Sequence, residues 1–149
     1  MMHRPGKQWG IVCLICVYSV ALTVGCSKTG TQEVSGSVIL DGSPITEGLI
    51  EFTPIEPTKG PTAGAAIQNG QFSVPAVASG LTVGGVYKVS ISVMVGSGQF
   101  IRNPVAPGGK SEALKESIPA RYNENSELQI TVSANAEENK HDFQLTSSS

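Results

Sequence analysis

From Glu33 onward the chain alternates apolar and polar residues with a period of two, and Gly, Pro, Asn or Asp interrupts it every few residues. No other feature constrains the fold as strongly, because successive side chains of a strand point to opposite faces and a helical face needs a period near 3.6. The run "VYKVSISVMV" is the clearest case. Tyr87, Val89, Ile91, Val93 and Val95 fall on one face, with Lys88, Ser90 and Ser92 on the other. It reads as the central strand of a core.

The same scheme recurs along the body. "VSGSVIL" aims Val34, Val38 and Leu40 one way, and "LIEFTP" aims Ile50 and Phe52 inward with Glu51 outward. "ELQITVS" contributes Leu128, Ile130 and Val132, and "KHDFQL" contributes Phe143 and Leu145. Asn69-Gly70, between two short strand-like runs, predicts a hairpin, since both residues tolerate the positive φ of a type I′ turn. At least seven short strands without a long helical period predict an all-β fold, an antiparallel seven-stranded β-sandwich. Two stretches fall outside the pattern. Residues 96–118 read as a long connection in which "SEALKE" forms one or two helical turns capped by Ser111. The tail 147–149 reads as frayed.

The first 26 residues are of another kind. Arg4 and Lys7 precede Trp9 to Gly25, 17 residues without a charge, in the cation-then-apolar order of an export signal. As a helix the run spans about 25 Å, short for a hydrocarbon core of roughly 30 Å, so a retained membrane helix is the lesser reading. The run stops at Thr23-Val24-Gly25-Cys26, which resembles the lipobox of bacterial lipoproteins, with Thr23 standing where leucine is usual. That resemblance implies cleavage between Gly25 and Cys26, and a diacylglyceryl group on the Cys26 thiol with a further acyl chain such as palmitate at the new N-terminus. A thiol suits this role because its thiolate is nucleophilic near neutral pH, and several chains hold a protein durably where one does not. Ser27 implies the outer membrane rather than the inner one. The expected organisation is therefore a signal peptide at 1–25, a tether at 26–32 and a β domain at 33–146.

All three cysteines (Cys13, Cys16 and Cys26) lie in this leader, so no disulfide can brace the body. Cys13 and Cys16 spell C-x-x-C without the second ligand pair or the βαβ context that zinc or redox sites need. Beyond the leader's two cations the chain has 8 Lys/Arg against 12 Asp/Glu. That balance argues against nucleic acid, whose phosphates need a basic face.

The body resembles the carboxypeptidase regulatory-like domains, of the transthyretin-like (prealbumin-like) sandwiches, through Val34, Gly36, Val38, Asp41-Gly42, Pro44, Gly48, Phe52, Gly70, Phe72, Tyr87 and Val89. Ile118-Pro119, Tyr122, Leu128, Val132 and Phe143 resemble the closing part of short bacterial lipoproteins of this class. The resemblance implies an extracytoplasmic module that binds partners or accompanies other domains. Some transthyretin-like proteins hydrolyse hydroxyisourate with a Tyr-Arg-Gly-Ser ending, and this chain ends Leu145-Thr146-Ser147-Ser148-Ser149.

Chemistry-bearing residues are few. His141 is the one histidine beyond the leader and reads as a solvated surface residue, because neighbouring Asp142 points to the opposite face and cannot orient its ring. "GGKSE", Gly108 to Glu112, imitates the end of a phosphate loop, but Pro104 stands where its first glycine belongs. Asp41, Glu47 and Glu51 read as scattered solvated carboxylates rather than a calcium site. No catalytic residue, metal set or cofactor is expected. The expected function is a lipid-anchored, non-catalytic binding or structural module of the cell envelope, contacting an envelope protein or glycan through Phe100 and Arg102. Its rivals are a small carboxylate-based enzyme and an accessory subunit of an envelope assembly or transport complex.

Overall fold

Alternation becomes strand throughout the body. The computed structural model describes residues 30–77 and 79–148. The strands are β1 (Thr31–Gln32), β2 (Val34–Leu40), β3 (Ser43–Pro44), β4 (Glu47–Pro54), β5 (Ala63–Gln68), β6 (Gln71–Val74), β7 (Leu81–Thr82), β8 (Val86–Ser92), β9 (Met94–Arg102), β10 (Lys110–Glu116), β11 (Gln129–Thr131) and β12 (Lys140–Leu145). Eight of them form one sheet in the order β11-β8-β4-β5-β6-β2-β12, with β3 on β2. The leader, including Gly25, Cys26, Cys13 and Cys16, lies outside the described residues.

The sheet curls into a half-barrel. Its two edge strands, β11 and β12, are joined only by residues 132–139, half of which form the 3-10 turn Ala136–Asn139. Laid flat, seven strands at about 4.8 Å spacing would hold those edges roughly 29 Å apart, more than so coiled a link can cross. Curling also lets one face of each of the seven strands from β11 to β12 enter a single core. Val34, Val38, Ile50, Phe52, Ile67, Phe72, Tyr87, Val89, Ile91, Ile130 and Leu145 are buried together. Phe52 and Phe72 pack with ring centroids 6.0 Å apart, and Phe143 lies 6.0 Å beyond Phe72.

One departure from the antiparallel expectation is decisive for the architecture. β12 runs parallel to β2, Lys140 opposite Ser35 through Leu145 opposite Leu40. The two backbones meet where Gly36 faces His141, and a Cβ on Gly36 would fall 1.8 Å from the His141 carbonyl oxygen. Glycine is therefore required there by close approach, not by an unusual φ. The Asn69-Gly70 hairpin forms as expected, with φ of 50° and 76° and Gln68 paired to Gln71.

Both ends of the body are more ordered than the sequence suggests. Thr31–Gln32, assigned to the tether, pair with β7, and Gly30 accepts a hydrogen bond from the Val83 amide. Thr146, Ser147 and Ser148 are tied to the body. Asp41 accepts the Ser147 amide at 2.9 Å, and the Arg121 guanidinium donates to the carbonyls of Thr146 and Ser148.

Candidate functional site

Most of the 96–118 stretch is strand, with a loop only at residues 103–109 and beyond Glu116. β9 and β10 pair antiparallel into a two-stranded arm that leaves the half-barrel after β8 and packs little against other strands. "SEALKE" is strand because its cross-strand partners on β9 decide the matter: Glu112 faces Phe100, Leu114 faces Gly96 and Glu116 faces Met94. Such partners outweigh a modest helical propensity. Gly98, at φ 76°, lies in a bulge opposite Ala113, and the Glu112 carboxylate accepts its amide at 2.8 Å. Gly108 and Gly109, at φ 79° and 69°, turn the tip, so "GGKSE" leads into a strand and not into the helix a phosphate loop requires.

The expected run from Tyr87 to Val95 is divided. β8 ends at Ser92, Val93 is half-buried, and Val95 faces outward at the start of the arm. At this root Glu116 acts as a clamp. Its carboxylate accepts from the amides of Val93 (2.8 Å), Ser117 (2.9 Å) and Ile118 (3.0 Å), from Asn123 Nδ2 (2.7 Å) and from the Ser92 hydroxyl. Burial alone would raise its pKa, but these donors outweigh that and hold it below the usual carboxylate value.

Phe100 is 69% exposed, and Arg102 is exposed on the same strand, not on the long connection expected there. Ile101 and Val105 continue the apolar tip, Val105 being 90% exposed. Arg102 sits directly opposite Lys110, so two cations share the tip without a carboxylate between them.

At the foot of the arm lies a groove that sequence reasoning missed. A cleft of about 390 Å³ is lined by Leu40, Pro44, Ile45, Val93, Met94 and Val95 among others. A second, of about 400 Å³, is lined by Glu47, Gly48, Leu49, Ser92, Met94 and Leu114. They share Glu47 and Met94, and so make one apolar surface with an acidic margin. Leu49, Met94 and Leu114 are exposed. The signal for two of them is their phase: Leu49 and Met94 are apolar at positions where the alternation of β4 and of "VYKVSISVMV" calls for outward, polar residues.

Several other titratable groups are engaged within the fold. Asp41, Glu47 and Glu51 do not converge, and among the described residues no three His, Cys, Asp or Glu side chains gather for a metal. Hydrogen bonds from the side chain and backbone of Ser147 lower the Asp41 pKa. Tyr122 is brought down to about 8, first by its hydrogen bonds with the Thr146 side chain and Arg121, whose guanidinium stands 4.7 Å from the ring centre. His141 is not the solvated residue expected. It is half-buried with its ring 6.4 Å from that of Phe143, and its Nε2 is enclosed without a partner. Burial lowers its pKa, partly offset by the charge of Asp142. Asp142 faces away and accepts the Ser37 hydroxyl, so the pair forms no catalytic dyad.

No family model matches the chain, and no curated protein matches it. Among solved structures it is similar to part of a 9R-lipoxygenase from Cyanothece PCC8801, at 11% identity and a TM-score of 0.33, with 78% of this chain and 16% of that one covered. The chain therefore spans less than a fifth of that enzyme's length.

Proposed function

We propose that this chain is a lipid-anchored, extracytoplasmic binding module of the cell envelope, without catalytic activity, built on a transthyretin-like (prealbumin-like) sandwich. The observation that carries the binding role is the arm. Phe100, Ile101 and Val105 project on a ribbon free of the core, and Leu49, Met94 and Leu114 expose a groove at its foot. Neighbouring apolar side chains held in water on an otherwise ordered body favour a contact surface. Hydrophobic burial there yields about 25 cal/mol per Å² of apolar area removed from water.

Support for the sandwich assignment comes from the curl of the sheet and from the single core that its strands share. The anchor rests on Cys26 and its setting, with Ser27 favouring the outer membrane. Four residues separate Cys26 from β1, so they hold the body within roughly 15–20 Å of the bilayer.

Two experiments test this reading. Labelled palmitate should enter the wild-type chain and not Cys26→Ser. An envelope protein or glycan should be recovered in fixed proportion with the wild type and be lost from Phe100→Ser and Leu49→Ser while the fold is retained. Hydrolytic activity abolished by Glu47→Gln with binding unaffected would overturn the non-catalytic reading.

A further inference from the structure

The outer edge of β10 carries a charge pattern that selects its own copy. Among the described residues β10 pairs with β9 alone, leaving its other edge open. Two hydrogen bonds fix which groups point where: the Asn103 amide donates to the Gly109 carbonyl at 2.9 Å, and the Ser117 amide donates to the Val93 carbonyl at 2.8 Å. Odd-numbered residues of this strand therefore turn their peptide groups toward β9. Lys110, Glu112, Leu114 and Glu116 turn theirs outward.

An open strand edge is a template for pairing, and charged side chains along it deter indiscriminate partners. Here the charges run Lys110, Glu112, Lys115, Glu116, with a cation at the tip end and an anion at the root. Read backwards, the strand complements itself. A twofold axis normal to the sheet preserves faces, so only registers differing by two residues are allowed. Centring on Ala113 sets Lys110 against Glu116 of the second copy, Ser111 against Lys115, and Glu112 against Leu114, with no like charges opposed. Centring on Glu112 opposes that residue to itself, and centring on Leu114 opposes Glu112 to Glu116. Like charges directly opposite destabilise a strand pair.

We propose that two copies of this chain join edge to edge through β10, in the register centred on Ala113, to form a four-stranded ribbon. Glu116 keeps its own donors, and Lys110 of the second copy answers its charge from alongside. The inference uses the ribbon's edge, whereas the proposed function uses its faces and the groove. It does not depend on the lipid anchor.

The test is mild oxidation of the full chain, with the wild type beside it to account for Cys13, Cys16 and Cys26. On the twofold, two Ala113 residues form a non-hydrogen-bonded pair with Cα atoms about 4.5 Å apart, within reach of a disulfide. Ala113→Cys should therefore cross-link to a dimer above the wild-type level. Ser111→Cys and Lys115→Cys should each fail alone and cross-link when co-expressed. Cross-linking at all three positions alike, or at none, would overturn the register. A second pair reads the charges without cysteine: Leu114→Lys should tighten association several-fold, because Glu112 of the other copy faces it, and Leu114→Glu should abolish it. Equal weakening by both would show an apolar contact and refute the pairing.

Discussion

Replacing Glu116 by alanine removes the acceptor for five donors at the root of the arm and leaves the half-barrel core untouched. A hydrogen bond to a charged group contributes about 1.5–3 kcal/mol when dry. Glu116 is exposed, so water replaces most of each bond, and screening reduces the total to roughly 2 kcal/mol. That loss falls on the junction between β8, β9 and β10, because the donors are Ser92, Val93, Ser117, Ile118 and Asn123. The assay is amide hydrogen exchange. In Glu116→Ala, amides of 94–116 should lose about tenfold or more in protection, while those of Phe52, Val89 and Ile91 keep theirs. The pH dependence has a fixed sign. With its folded pKa below 4.5, Glu116 contributes fully above that value, and its contribution disappears as pH falls through the lowered one. After correction for intrinsic exchange rates, arm protection in the wild type should therefore fall in acid, and Glu116→Gln should remove most of that dependence. Unchanged arm protection in Glu116→Ala, or a uniform loss across the core, would refute the clamp.

Gly36→Ala should destabilise at or beyond the upper end of the roughly 1–3 kcal/mol typical of overpacking, since the added methyl meets the His141 backbone at 1.8 Å; denaturant unfolding with an unshifted midpoint would contradict the β2–β12 packing. Absorbance titration of tyrosinate should show a transition near pH 8 that Tyr122→Phe removes. His141 has a lowered pKa, so its neutral form is favoured by folding. Stability should fall as pH drops below about 6.5. His141→Phe should flatten that part of the curve, and an unchanged slope in urea unfolding between pH 7.5 and 5 would disprove it.

Much of the fold was legible because alternation reports directly on burial. Val34, Val38, Ile50, Phe52, Tyr87, Val89, Ile91, Ile130 and Val132 all face the core as their phase requires. The Asn69-Gly70 turn was equally plain, since its chemistry is local. What escaped depends on partners distant in sequence. β12 runs parallel because it reaches the far edge of a curled sheet, and nothing within "KHDFQL" encodes direction. The helix expected at "SEALKE" failed for the same reason: its cross-strand neighbours lie 10 to 22 residues earlier. His141 is half-buried because it faces Gly36, a residue 105 positions away. At the candidate site, Phe100 and Arg102 were singled out by their place in the long 96–118 stretch and are exposed on β9, whereas the groove was marked only by Leu49 and Met94 standing out of phase.

Mass spectrometry of the mature N-terminus tests the envelope account most directly. The account predicts a chain that begins at Cys26 and carries a diacylglyceryl thioether and an acylated amine. A chain that retains Met1 in its native membrane, or one that starts beyond Cys26 and bears no lipid, would contradict it.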